Sequence, residues 1–588
     1  MRPRVILRLL LLVPVLLTGI VTASDTVSIP TTYHAVTNRN VYAEPALPSL
    51  GPAGSRFIDP TFGSRMLRVT DADTRPNKIG RGYAGPSAAH QNAWNTTATR
   101  FYVRGIDGFF LPYTFDAASM TASRINRTTT GDGGLLISSQ VEPQFSFRSP
   151  DILYVSSQSS SDTPVIRGYN FATNSYSTIA DLKVDLNTAI ASATYAAALS
   201  SSAASPEKVS VIFGGCCQDR HYKAAVFEVN SPASSAAVLD TQAGTITAGG
   251  ITRATGIVPF YLHHAWIDLS GRYVVLYPVS HSPASMIVWD LTSHTLTLNN
   301  TRAFGHDALG YGWQVNQDCC TSSAPYDGAQ WQLRTLSVPG ATSDLISPML
   351  SPRQIYIADH TSWNNAQPDR RVPILSSTYR YYNGTFNTAP WRAWDDEIIA
   401  IQTEAGDAGA TVWRFAHHRS NVARDDGVDG TYFWYQPHAV VAPNGRWALF
   451  TSNWEKTLGT AVGAEPSGLY RTDVFIVALS AGSFTDDPLI SGGTVARAIH
   501  VTELRNRIDV LRVRYGLGTF PWTDPALGPG ATVQAVHLTE LRTALQQAYA
   551  AASRTFPGVT DTITARSTRI RAVHVQELRD AVVALEGN

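Results

Sequence analysis

Histidine changes charge close to neutrality, and five histidines of this 588-residue chain recur in one local setting. His90, His264, His306, His360 and His438 each open a short apolar stretch. His90-Gln91-Asn92-Ala93-Trp94 leads to Arg100-Phe101-Tyr102-Val103, and His264-Ala265-Trp266-Ile267 to Arg272-Tyr273-Val274-Val275. His438-Ala439-Val440-Val441 leads to Arg446-Trp447-Ala448-Leu449. A neutral imidazole accepts or donates a proton at such a pH. With an arginine to neutralise a carboxylate, it suits β-elimination on a uronate sugar. His264, His306 and His360 are the candidate catalytic residues, with Arg370 or Arg419 as carboxylate partner. His90, Trp94, Asp307, Trp363, Asn364, His418 and His438 are candidate substrate contacts, because sugar rings stack on aromatics and need paired donors and acceptors. A histidine cluster with Asp307 could instead hold Mn²⁺ or Zn²⁺. Hydrolysis by two carboxylates has less support, because no pair stands out. The competing reading is structural: strand-opening histidines hydrogen-bond loops, and most Asp and Trp residues serve turns and packing.

Something must bring these scattered residues together. From residue 56 to 481 the chain reads as short strands and turns, with almost no helical periodicity. Asp268-Leu269-Ser270-Gly271 and Pro443-Asn444-Gly445 are hairpin signals. Units begin near His90, Glu142, Tyr195, His263, His306, His360 and His438. That count predicts a mainly β chain folded as a seven-bladed β-propeller, with two packed sandwiches as the alternative. Arg65-Met66-Leu67-Arg68-Val69-Thr70 precedes the first unit and could close the ring as the outer strand of the seventh blade.

Strands a to d of a blade run antiparallel from the axis outward. Strand a therefore starts on the face that also holds the b–c loop and the end of strand d. The five histidines should ring one mouth of the channel. His417, His418 and Arg419, ending the sixth blade, should reach the same face, as should Asp307, Asp318, Asp359, Asn364, Asn365, Asp369, Arg370, Arg371, Asp395 and Asp396. The four cysteines form two adjacent pairs, Cys216-Cys217 and Cys319-Cys320, both at b–c loop positions. Either vicinal disulfides or cross-linked pairs are open to them.

The Asn444-Gly445-Arg446-Trp447 turn and the strand-opening histidines resemble the secreted propellers related to TolB and to oligogalacturonate lyases. The resemblance spans residues 56–481 and implies the propeller fold. Its motifs are short, and no catalytic set of those families transfers position by position.

The last ninety-odd residues differ. Arg497-Ala498-Ile499-His500-Val501-Thr502-Glu503-Leu504-Arg505 recurs as Gln534-Ala535-Val536-His537-Leu538-Thr539-Glu540-Leu541-Arg542, and again as Arg571-Ala572-Val573-His574-Val575-Gln576-Glu577-Leu578-Arg579. Each repeat runs into a helix, with the His capping or packing in its first turn. Residues 494–588 read as a helical attachment or interaction module for a cell-surface partner, and 482–493 as a linker. The propeller should fold without them.

Arg2, Arg4 and Arg8 before an apolar run to Val21, with small residues up to Ala23, read as a secretory leader over 1–23, followed by an extension over 24–55. The expected location is secreted, extracellular or periplasmic. The precursor balances Lys+Arg 46 against Asp+Glu 46, which argues against nucleic-acid binding. No later segment is apolar enough to span a membrane. The expected partner is a polysaccharide or oligosaccharide. A non-catalytic glycan- or protein-binding propeller is the alternative.

Overall fold

The computed structural model describes residues 29–586, except 43–44, 87, 126–133, 136–142, 157–163, 187–195, 216–218, 301–306, 317–330, 347–357, 381–392, 405–408, 423–431, 465–466, 480–483, 485, 487–488, 491–492 and 529. His306, Asp318 and all four cysteines, with the proposed leader, lie outside these residues.

The chain forms seven antiparallel sheets arranged as the blades of a propeller. Six follow in chain order, with innermost strands Tyr83–Ala84, Gln144–Phe145, Ala197–Ser201, Leu262–Ile267, Ala308–Leu309 and Ala358–Ser362. The seventh joins both ends of the propeller chain. Val440–Val441, Trp447–Ser452 and Asp473–Ala478 are its inner strands, Arg65–Arg68 is the fourth, and Arg56–Ile58 adds a fifth outside it. Met66 pairs with Val477 and Arg68 with Phe475, so the segment before the first blade does close the ring.

Burial explains why these segments are strands. A middle strand is covered by neighbouring blades on both faces, so it reads as an unbroken apolar run rather than an alternation. Tyr273–Pro278 in the fourth blade is buried at every residue. The outermost strand, Thr295–Asn299, meets solvent and turns polar. Asp268 fastens one blade to the next. It accepts the backbone N–H groups of Arg272 and Tyr273 in its own turn and of Gly312 in the fifth blade.

Two departures from the expected grammar matter. The third blade has six strands, because Thr245–Ala248 and Ile251–Ala254 add a hairpin at its edge. The first blade begins at Tyr83, not His90. Trp94 still bridges to Phe101, so residues 85–93 interrupt an inner strand. A polar interruption inside a strand has the sequence texture of a strand start, which is why His90 read as one.

Three helices follow: Ala498–Arg514, Ala535–Ala551 and Ala572–Glu586. Arg505 pairs with Glu540, Arg542 with Glu577, and Arg579 with Glu503, which closes a circle of three. Each repeat histidine serves its helix start. His500, His537 and His574 accept the backbone N–H three residues earlier through Nδ1 and donate through Nε2 to Asp486, Asp524 and Asp561. Phe484 and Leu489 lie in this helical core, so part of the expected linker belongs physically to the module. The bundle sits against the seventh blade: buried Arg514 donates to the carbonyls of Thr61 and Phe62, and His34 to that of Val583.

Candidate functional site

Pairing registers decide which mouth each candidate faces. In the sixth blade Ala358 pairs with Tyr379 and Ser362 with Leu375. His360 lies in the middle of strand a, while residues 363–373 form the a–b loop at its far end. Trp363, Asn364, Asn365, Asp369, Arg370 and Arg371 thus belong to the opposite mouth from the start of that strand. The expectation that they share the histidine face does not hold. It treated loop residues after strand a as if they preceded it. Trp363 Nε1 donates to the carbonyl of Val372 (2.9 Å), and Asn364 Nδ2 to that of Val441 (3.0 Å), both within the blade packing. Arg370 is exposed. Trp94 is fully buried against Phe101 and Phe115.

The end of the sixth blade is committed to structure. His417 ends the strand Val412–His417 and His418 follows it. His417 packs on Phe62 with ring centroids 5.0 Å apart, and burial pushes its pKa well down. His418 is also buried, which lowers its pKa. Its Nε2 donates to the carbonyl of Thr378 (2.7 Å) and its Nδ1 accepts the N–H of Ser420 (2.9 Å), so the ring is held neutral. Arg419 is 2% exposed and donates to the Pro45 carbonyl and to Glu455.

Three groups of candidate side chains do converge. His360, in the inner strand of the sixth blade, and His438, two residues before that of the seventh, are both buried, with ring centroids 4.1 Å apart. Gln436 completes this group, its Oε1 accepting from His360 Nε2 at 2.6 Å. Phe433 packs on His438 at 4.7 Å, and Tyr379 stacks beside His360 at 5.8 Å. Gln436 and Phe433 carried no signal in the sequence beyond proximity to His438.

The second group belongs to the fourth blade. A register shift between Leu262 and His264 lets His263 and His264 share a hydrogen bond between their Nδ1 atoms (2.5 Å). His263 is exposed and His264 buried, stacked on Trp266 at 3.8 Å. His90 reaches Trp266 from the first blade, centroid to centroid 3.3 Å. The segment around His90 therefore reaches from the first blade to the fourth. The cavity beside it, lined in part by His90, Trp266, Ser200, Trp363 and Asn364, has about 20 Å³, room for about one water. His221, missed in the sequence, bridges to Leu262 through its backbone, and burial pushes its pKa down to about 4.

The third group is acidic. Asp307 and Asp359 stand at the starts of adjacent inner strands, both fully buried. Burial raises the pKa of Asp307 well above the carboxylate range, and that of Asp359 to about 7 against the hydrogen bonds from Ser376 and Trp331.

Solved structures align with much of the chain. An oligogalacturonate lyase in complex with manganese is 12% identical, covering 73% of this chain and 98% of its own, with a TM-score of 0.42. An oligogalacturonate lyase from Vibrio parahaemolyticus is 11% identical, covering 72% and 96%, with a TM-score of 0.44. The WD40 repeats of RRP9 are 10% identical, covering 67% and 99%, with a TM-score of 0.32. No family profile matches the chain, and no curated protein matches it.

The chemistry open to the mouth follows from its donors. Among the described residues, no group of three or more His, Cys, Asp or Glu could hold a metal. His360, His438 and the amide oxygen of Gln436 nevertheless offer two imidazoles and one carbonyl in one place, a donor set that fits a borderline divalent cation such as Mn²⁺ or Zn²⁺.

Proposed function

We propose that the protein is a secreted, carbohydrate-directed propeller that cleaves uronate-containing glycans by β-elimination at the histidine-bearing mouth. The observation that carries this reading is the meeting of His360, Gln436 and His438 between the sixth and seventh blades. His264 belongs to the same proposal from the fourth blade, and so does His306 by its place in the sequence directly before Asp307. In the reaction a neutral imidazole takes the proton from C5 of the uronate. The C5–H electron pair forms the C4=C5 double bond as the C4–O bond breaks, and the leaving oxygen takes a proton from a second imidazole or from water. A divalent cation on His360, His438 and Gln436 would supply neutralisation of the sugar carboxylate.

The test is the ultraviolet absorbance of the unsaturated uronide, with pectate, ulvan and glycosaminoglycans as substrates and Mn²⁺ or Zn²⁺ supplied. Turnover on one of them is expected. His360→Ala should lower it about 100-fold or more while most glycan binding survives. Glycan binding with no product from any substrate would favour the non-catalytic, glycan-binding propeller instead.

A further inference from the structure

The third blade carries two elements that depart from the four-strand plan. A short helix, Pro232–Ser235, joins its third and fourth strands, and the hairpin Thr245–Ala248 and Ile251–Ala254 extends its edge. Between them and the turn Leu291–His294 of the fourth blade lies a cavity of about 170 Å³. Lys208, Glu228, Ser235, Ala248, Leu291 and His294 are among its walls. Lys208 begins the second strand of the blade and Glu228 ends the third, so the cavity sits on the face opposite the histidine mouth. These two residues stand directly across from each other in the register, and their side chains share one face of the sheet. They do not pair with each other. Lys208 Nζ donates to the Gly271 carbonyl (3.0 Å), and Glu228 accepts from Ser231 Oγ (3.1 Å). Each keeps capacity beyond that bond, since an ammonium has more than one N–H and a carboxylate several acceptor sites. Ser235 fixes the helix to the strand, accepting the Glu228 N–H (2.8 Å) and donating to the Ser231 carbonyl (2.7 Å). His294 is partly buried, and its Nδ1 atom is enclosed without a hydrogen-bond partner. Its backbone is left-handed, with φ 55°, where the same turn in the first and second blades holds Met120 and Asn174. The turn itself therefore does not ask for histidine.

We infer that this cavity binds a small zwitterion, an α-amino acid with a compact side chain. Two opposite charges that face one enclosed space without neutralising each other match a molecule that carries both. The ligand carboxylate meets Lys208 and its ammonium meets Glu228, each through a charge-assisted hydrogen bond. His294 supplies a further polar atom in the same wall, and Arg253 of the added hairpin lends positive charge beside it. Asp290 also lies near His294, but it is engaged by Arg272 (2.9 Å). Volume sets the size of the ligand. A cavity of about 150 Å³ encloses one benzene ring, so this one suits an alanine- to valine-sized molecule and is too small to enclose a hexuronate. The site stands apart from the histidine mouth and does not depend on the reaction proposed there.

Calorimetric titration and thermal melting of the full-length protein provide the test. The probes are L-alanine, L-valine, propionate, ethylamine and galacturonate. The two amino acids should bind and raise the melting temperature. Propionate and ethylamine, with one charge each, should bind at least about tenfold more weakly. Glu228→Gln keeps an acceptor for Ser231 but loses the charge. It should weaken alanine binding about tenfold or more and leave the melting temperature of the free protein unchanged. His294→Gly suits the left-handed turn, so it should weaken alanine binding without loss of fold. Failure of both amino acids to bind overturns the site. So does equal binding of alanine and propionate, or alanine binding that neither substitution changes. Galacturonate binding that Glu228→Gln abolishes overturns the zwitterion assignment in favour of a sugar.

Discussion

Asp359 shows how one buried residue makes a whole fold sensitive to pH. Its carboxyl titrates near 7 in the folded chain because burial disfavours its charge, whereas the unfolded chain releases the proton near 3.8. Between about pH 4 and 7 the unfolded state therefore binds fewer protons than the folded state, and stability falls as pH rises, levelling above 7. Asp359→Asn should flatten that slope while keeping an oxygen for Trp331 and Ser376. Urea midpoints at pH 4.5 and 7.5 would show it, and equal pH slopes in the two proteins would contradict the assignment. Nothing in the local sequence marked Asp359 apart from its neighbours, because burial is a property of the ring and not of the segment. His360 and His438 were legible because imidazoles before apolar strands recur; their partner Gln436 was not. His418 shows the limit of that signal. It has the right residue type and the expected blade, but its two nitrogens bond the Thr378 carbonyl and the Ser420 N–H.

At the level of elements, periodicity carried far and loops did not. Six of the seven expected blade starts fall within a few residues of the observed inner strands, since each is an apolar run after a turn. The register shift at His263 and the 85–93 insertion were hidden, because a one-residue bulge and a polar excursion leave the hydrophobic pattern nearly unchanged. Assigning Arg370 to the wrong mouth came from the same source: only the pairing of Ser362 with Leu375 shows on which side of the turn it falls. Two changes test what holds the elements. Arg414 and Glu397 form a buried pair, 0% and 1% exposed, and Arg414 also donates to the carbonyls of Asn38 and Asn40 in the N-terminal extension. Arg414→Met leaves Glu397 enclosed without its cation and should cost about 3–5 kcal/mol by urea unfolding. In the helical module, His537→Ala removes the acceptor for the Gln534 N–H and the bond to Asp524, and should cost about 1–2 kcal/mol in that module's thermal transition. A silent substitution would mean that the repeat histidine is kept for another reason.

Across the whole molecule, the propeller and the helices share a boundary but not a core. Buried Arg514 reaches Thr61 and Phe62, and His34 reaches Val583, while the helical cluster contains no propeller strand residue. Removing residues 484–588 should therefore leave the strand circular dichroism intact and lower the melting temperature by several degrees. Loss of the β signal would show that the ring needs its helical neighbour. The circle of Arg505–Glu540, Arg542–Glu577 and Arg579–Glu503 also sets the module apart from an open array, since its third repeat returns to the first.

The seventh blade has a consequence in time. Arg68 of its fourth strand and Asp473 of its third are 405 positions apart. A ribosome adding about 5–20 residues per second needs roughly 20 to 80 s to cover that distance. Through that interval the Arg65–Arg68 strand exists without the partner strand it must join, and six blades can form before it does. An early strand with an unfilled edge is a standing invitation to pair with another chain.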